Sequence, residues 1–321
     1  MTVSNDNLDL EPKTGLDGPA LELDFPGLRV GVAEYDEGPT GCTVFLFDRG
    51  WTTAVDARGG LVGTSGDYDF NHGLCFAGGS LLGLEAATGV TAALFAQRGH
   101  SFQAFPLVSA AIIFDFGGRD NTVYPDHRLG RAATESAEAG RFPLGRRGAG
   151  RGATVGKLAP GFGESSGQGA AFRQVAEVRL LVCTVVNAVG AVLDRRGRVV
   201  RGNLDRKTGQ RLSVADALAL QPVSAGVLSP RPTENTTLTL VLTNARMERR
   251  LLTQLGRQVH ASLARAIQPF HTITDGDVLY AVTSAAVDSS LRPEALGVAA
   301  SDLAWDAVLA AVSQDDGLDS V

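Results

Sequence analysis

The stretch TENTTLTLVLTN, Thr233 to Asn244, alternates threonine with leucine and follows directly on a proline-punctuated segment, VLSPRP. The alternation predicts a strand over Thr236–Thr243, and β-branched threonine suits a pleated surface. The strand opens on Asn235-Thr236-Thr237, straight out of a loop. Two accounts fit these residues alone. In one, the threonines serve only as β-formers. In the other, the chain is built to be cut between Asn235 and Thr236, so that Thr236 becomes a new N-terminus.

The second account has a chemical rationale. A threonine hydroxyl is a weak nucleophile until a base removes its proton. A free α-amine, with a pKa of about 7.7–8, is a base near neutral pH and sits on the same residue. To liberate it, the hydroxyl attacks the preceding carbonyl, the acyl group moves from nitrogen to oxygen, and water hydrolyses the ester. The products would be fragments 1–235 and 236–321.

Outward from this point the chain mixes strands with long helices. Upstream, LRVGVAEY, CTVFLFDRG and TTAVDARGG are predicted strands separated by Gly, Pro and Asp turns. Gly78-Gly79-Ser80 marks a helix start, with Leu81, Leu84, Ala87 and Ala92 on one face, and SAAIIFDF is a buried-strand candidate. EVRLLVCTVVNAVGAVLDRRGRVV reads as two strands meeting at Asn187–Gly190, and residues 203–234 are turn-rich, with Pro222, Pro230 and Pro232. Downstream, ARMERRLLTQLGRQVHASLARAI predicts an amphipathic helix with Leu251, Leu255, Val259 and Leu263 on its apolar face. DVLYAVTS is a further strand and SDLAWDAVLAAV a closing helix. Strands and helices without βαβ alternation indicate an α+β fold with layered sheets.

Composition narrows the function classes. The chain has 321 residues, 44% hydrophobic, enough for a sizeable core. A net charge of −6, from 29 basic and 35 acidic side chains, gives no nucleic-acid footprint. Cys42, Cys75 and Cys183 are far apart in apolar runs and read as buried reduced thiols of a cytoplasmic protein. Residues 1–24 form a polar leader without the features of a signal peptide, and no apolar run approaches the ~20 residues of a membrane span, so no membrane association is expected. The glycines of GRRGAGRGATVG, followed by Lys157, do not make a phosphate loop: Arg151 stands where a glycine is needed, and Leu158 where Ser or Thr is needed. His72, His100, His127, His260 and His271 lack metal-ligand spacing. His260 reads as a packing residue, and His271 as a possible support to a site rather than a catalytic group.

Many blocks, taken in order, carry a family likeness: LDFPG, EGPTGCTV, TAVDARGG, YDFNHG, AGGSLLGLEAATGV, VYPD, GQGAAFR, VVRGN, ENTTLTLVLTN, QVHASLARAIQPFHT and DGDVLYAV. From about Leu23 onward the chain resembles the self-cleaving P1 peptidases and amidases, which share a fold with ornithine acetyltransferase. The likeness is strongest to the nylon-oligomer hydrolases among them, which are 6-aminohexanoate-oligomer endohydrolases. The resemblance implies a four-layer αββα sandwich of the N-terminal-nucleophile type over residues 25–321, cut before Thr236. It implies hydrolysis of internal amide bonds in linear oligoamides, no metal or organic cofactor, and a homotetramer of processed protomers.

The resemblance also implies roles. Thr236 is the nucleophile, and Lys157 supplies positive charge. Asn187 offers an amide N–H to the oxyanion, a donor whose loss typically costs about 10²–10³ in rate. Asp275 and Asp277, which alone suggest a hairpin turn across Gly276, would converge to hold the Thr236 ammonium. Tyr68, Asn71 and Tyr124 lie in matched blocks and are candidates for lining the substrate cleft. The aminopeptidase branch mostly carries a serine nucleophile and a Ser-x-Glu where this chain has Asp275-x-Asp277, which favours the endo-amidase. An aminopeptidase acting on β- or D-amino-acid peptides is the alternative. An acetyltransferase, or a non-catalytic protein with an uncut chain, are the remaining ones.

Overall fold

In the computed structural model, residues 2–15, 17–117, 119–220 and 235–313 are described. Pro222, Pro230 and Pro232 therefore lie outside the described residues. Eight long strands carry the fold: β1 (Leu28–Tyr35), β2 (Thr40–Ala57), β3 (Phe70–Ala77), β4 (Val108–Ile112), β5 (Gln168–Val175), β6 (Val178–Asn187), β7 (Thr236–Ala245) and β8 (Val278–Val287). Four helices cover them: α1 (Glu85–Gln97), α2 (His127–Glu135), α3 (Arg249–Ser262) and α4 (Pro293–Val312). The strands hydrogen-bond in the order β5-β6-β7-β8-β2-β3-β4, with β1 also on β2.

Side-chain alternation turns this sheet into four layers. On β6, Leu180, Val182 and Val186 face one core, while Leu181, Cys183 and Val185 face another. The first core also takes Leu252, Leu255 and Val259 of α3 and Leu303 and Ala307 of α4. The second joins β6, β7 and β8 to Phe45, Leu74 and Phe76 of β2 and β3. The third packs Val44, Leu46 and Cys75 against Ala86, Val90 and Leu94 of α1 and Leu129 of α2. Three cores between four layers give the αββα sandwich. Strands covered on both faces must be apolar throughout, which is why LLVCTVV and TLTLVLT carry so little charge.

Strand β2 connects the two sheet layers. Its first half pairs with β3 through Cys42–Leu46, and its second half pairs with β8 through Thr52–Ala57. A register shift between Leu46 and Trp51 bends it, as bulges do. The turn expected between CTVFLFDRG and TTAVDARGG is therefore absent: they form one strand. Strand β1 and helix α2 flank a leader that is itself anchored, since Ala20–Glu22 pairs with Arg141–Pro143 and Leu10 is buried in the third core.

Other expectations shift as well. On α3 the buried face is Leu252, Leu255, Val259 and then Leu263, and Leu251 is 41% exposed. Steps of four overrun a turn of ~3.6 residues, so a three-residue step must enter the pattern. Leu81 is exposed in a 3-10 turn, Ser80–Leu84, that precedes α1. Helix α4 is long and apolar enough to cross a membrane by length and composition, contrary to the expectation that no such run exists. Its buried face lies on the sheet, and its Asp302 and Asp306 approach Arg195. All three cysteines are buried and unpaired.

Candidate active site

Thr236 begins β7 where three elements meet. Strand β6 runs antiparallel to β7 and sets Asn187 opposite Thr236. Strand β8 runs parallel to β7, with Leu238 opposite Val278. Three residues further back, Asn235 bridges Asp275, and Gly276 N–H donates to the Asn235 carbonyl oxygen at 2.9 Å. Asp275-Gly276-Asp277 is therefore not a hairpin turn. It is the extended approach to β8, and residues two apart on an extended chain share a side, so both acids emerge together.

The bond between Asn235 and Thr236 lies within this arrangement. Thr236 is 4% exposed, and its hydroxyl donates to the Asn235 carbonyl oxygen at 2.5 Å. That oxygen thus receives both its own neighbour's hydroxyl and the Gly276 amide. Gly276 is constrained by this packing. A Cβ there would stand 2.7 Å from Thr236 Oγ1 and 2.7 Å from the Leu61 carbonyl oxygen.

Two polar groups close in from the β6 side. Lys157 Nζ donates to the Asn187 carbonyl and side-chain oxygens, each at 3.2 Å. Asn187 Oδ1 also accepts the Thr154 N–H at 2.9 Å, and Asn187 Nδ2 donates to the Phe114 carbonyl at 2.9 Å. The lysine is held by its own backbone, whose N–H donates to Val189 O. The preceding Gly156 takes φ 70° and has Gly202 and Asn203 backbone within 2.2 Å of where a Cβ would lie. The glycine-rich stretch thus serves close backbone packing that aims Lys157 inward.

The acids are fully buried and differently engaged. Asp277 Oδ1 accepts the Thr237 N–H at 2.7 Å, and Oδ2 accepts the His271 backbone N–H at 3.1 Å. Asp275 Oδ2 accepts the Thr272 N–H at 2.8 Å. Burial first, and then repulsion from Asp277, holds the Asp275 carboxyl above the ordinary carboxylate range, against the pull of the Thr272 and Val189 amides.

Thr236 opens onto a cavity of about 210 Å3 lined by Leu61, Val62, Gly63, Ser80, Leu81, Ile112 and Phe114. Tyr68, Asn71 and Tyr124 are not among these walls. Asn71 is buried, with Nδ2 on Tyr68 O and Oδ1 accepting from Ser109 Oγ, and Tyr124 OH is turned to Glu85. None of these wall residues is assigned to the cleft from sequence, and Ser80 and Leu81 read there only as part of a helix. The wall residues come from separate loops and strands, so no local spacing announces them. The Gly276 amide was equally hidden, because a backbone donor leaves no trace in residue type.

Residues 23–318 match Peptidase family S58. The chain belongs to that family. It is 48% identical, over 96% of its own length and 90% of the relative, to a 6-aminohexanoate-oligomer endohydrolase of Paenarthrobacter ureafaciens. Among solved structures, the chain resembles a β-aminopeptidase of Burkholderia sp., with TM-score 0.60, 17% identity, and 92% and 88% of the two chains covered. It also resembles the L-aminopeptidase D-Ala-esterase/amidase of Ochrobactrum anthropi, described as a variant of the Ntn hydrolase fold, with TM-score 0.62, 14% identity and the same coverage. The protein is a hydrolase of amide bonds with an N-terminal-nucleophile-type fold.

Two outcomes follow from the geometry. Gly276→Ala must displace Thr236 Oγ1 or the Leu61 backbone; on the expectation of self-cleavage at Asn235–Thr236, it should slow that cut by at least about 10²-fold, read on gels of freshly translated chain. For Asp275, a folded value above the ordinary 3.8 means the folded state binds the proton more tightly, so stability falls as pH rises through that window. In a Thr236→Ala background, Asp275→Asn should raise stability at about pH 7 and flatten its decline from about pH 4, measured by urea denaturation.

Proposed function

We propose that this chain is a self-processing N-terminal-threonine amidase that hydrolyses internal amide bonds of linear oligoamides such as 6-aminohexanoate oligomers. The observation that carries this reading is the Thr236 hydroxyl lying on the carbonyl of its own preceding peptide bond, at the base of an apolar cavity.

In the first step Thr236 Oγ adds to the Asn235 carbonyl carbon, and the Gly276 N–H receives the developing oxyanion. The Asp275–Asp277 pair takes the hydroxyl proton and returns it to the leaving nitrogen. The C–N bond breaks, leaving an ester between Asn235 and Thr236 Oγ. Water hydrolyses the ester, which gives an Asn235 carboxylate and restores the hydroxyl beside a free amine. Fragments 1–235 and 236–321 stay together because β7 is central in the sheet, between β6 and β8.

In the second step the amine draws the proton from Oγ, which attacks a substrate carbonyl. Asn187 and Lys157 flank Thr236 on the β6 side and stabilise the oxyanion. The substrate amine departs with a proton, and water releases the acyl group. The wall of Leu61, Val62, Leu81, Ile112 and Phe114 suits an unbranched aliphatic segment, which offers few polar handles. The chain's reduced, buried cysteines support a cytoplasmic location, and the family resemblance implies a tetramer of processed protomers.

The second reading, an aminopeptidase for β- or D-amino-acid peptides, needs a carboxylate to pair with the substrate ammonium. Among the described residues lining this cavity none is acidic, which favours the endo-amidase. A linear 6-aminohexanoate oligomer with an acetylated amino end separates the two. The amidase should cleave the blocked and free oligomers at comparable rates, followed by mass spectrometry. Cleavage of the free oligomer alone would move the assignment to the aminopeptidase.

A further inference from the structure

Behind Asp277 lies a chain of polar side chains that the proposed chemistry does not use. Asp277 Oδ2 accepts twice from one residue: the His271 backbone N–H at 3.1 Å and the His271 ring Nδ1 at 3.0 Å. The ring of His271 meets that of His260 edge to face, with centroids 4.3 Å apart at 84°. His260 is completely buried, and its Nδ1 lies 2.9 Å from Asp56 Oδ2. Asp56 in turn holds Arg58 Nε at 2.6 Å, with Arg257 Nε at 4.0 Å. The series runs from the protein surface to the amide of Thr237, the residue after the nucleophile.

Each carboxylate dictates the tautomer of the ring beside it. A carboxylate only accepts, so Nδ1 carries the proton in both histidines. Their Nε2 atoms are buried and have no hydrogen-bond partner among the described residues. The backbone adds a second irregularity. His271 takes φ 58°, the left-handed region, which suits glycine and, to a lesser degree, asparagine. That conformation is what lets the backbone N–H and the ring Nδ1 of one residue reach the same oxygen.

Resting on the reading of Thr236 as nucleophile, we infer that His271 is a positioning residue for self-cleavage. It locks the Asp277 carboxylate so that the opposite oxygen fixes the Thr237 amide and, through it, the Thr236 hydroxyl on the Asn235 carbonyl. His260 and Asp56 hold the His271 ring in turn. His271 touches no reacting atom. It acts through Asp277, as groups behind a metal-ligating histidine act through the ligand.

Backbone preference and side-chain role pull in opposite directions here, which makes the inference testable. His271→Gly relieves the left-handed backbone but deletes the ring donor. His271→Asn keeps a side-chain N–H near the place of Nδ1 and also tolerates φ above zero. Each variant is made as full chain by cell-free translation, and the appearance of fragments 1–235 and 236–321 is timed. Melting temperature is measured in the Thr236→Ala background. Self-cleavage should slow about 10–100-fold in His271→Gly, the usual loss for an orienting group, while its melting temperature stays level or rises. His271→Asn should cut within a few-fold of the parent. His271→Gly cutting at the parental rate would overturn the inference and leave the nucleophile assignment standing. So would a loss of rate in both variants accompanied by a matching fall in melting temperature. A parental chain that never cuts would overturn the nucleophile assignment itself, and the inference with it.

Discussion

The hydrogen bond from Gly276 N–H to the Asn235 carbonyl oxygen is the constraint on which the site depends. It continues the parallel pairing of β7 and β8 three residues past Leu238–Val278, to the bridge between Asn235 and Asp275 that lies just outside the regular strands. That bridge fixes the direction of the carbonyl, and with it the face on which the Thr236 hydroxyl must lie. It also commits Asp275 and Asp277 to one side of the approach to β8, where one carboxylate serves Thr237 and the other is left with a raised proton affinity. The layered fold exists around this pairing: β7 and β8 are buried on both faces, so their relative register cannot slip without exposing two cores at once.

The proposed chemistry needs a nucleophile that is close to its target but dry. The sandwich supplies this by ending β7 inside the protein rather than at its surface. Lys157 and Asn187 arrive from β6 and from a loop whose Gly156 permits close backbone approach. Opposite them the cavity is walled by aliphatic and aromatic side chains. Polar groups are thus concentrated on the sheet side of Thr236 and apolar groups on the substrate side, a division suited to a substrate that is mostly methylene.

Much of this was legible in the sequence, and the physical reasons for success and failure differ by element. LRVGVAEY announces itself by its small and branched apolar residues between turns, and TLTLVLTN by its alternation of threonine with leucine and its lack of charge. The family was legible through its ordered blocks, and the odd strand opening pointed to Thr236, the residue on which the proposed chemistry turns. The helix α3 face was misjudged by one residue, Leu251 for Leu252, because a four-residue repeat and a true helical repeat diverge within a few turns. The single bent strand Thr40–Ala57 looked like two, since a bulge and a turn share the same glycine and aspartate signals. Asp275-Gly276-Asp277 looked like a hairpin for a similar reason, as the partners that keep it extended, Asn235 and the backbone of Arg58, Gly59 and Leu61, are distant in sequence. His260, read as packing, is bound to Asp56, a partner far away in sequence and unpredictable from spacing. The cavity wall was invisible for the same cause.

The central claim is that the chain makes its own nucleophile by cutting between Asn235 and Thr236. An intact mass spectrum of the purified protein, beside that of Thr236→Ala incubated identically, tests it most directly. The account predicts two species, 1–235 and 236–321, for the parent and a single 321-residue chain for the variant. A parent that stays whole after prolonged incubation would contradict it and return Thr236 to an ordinary residue at the start of a strand.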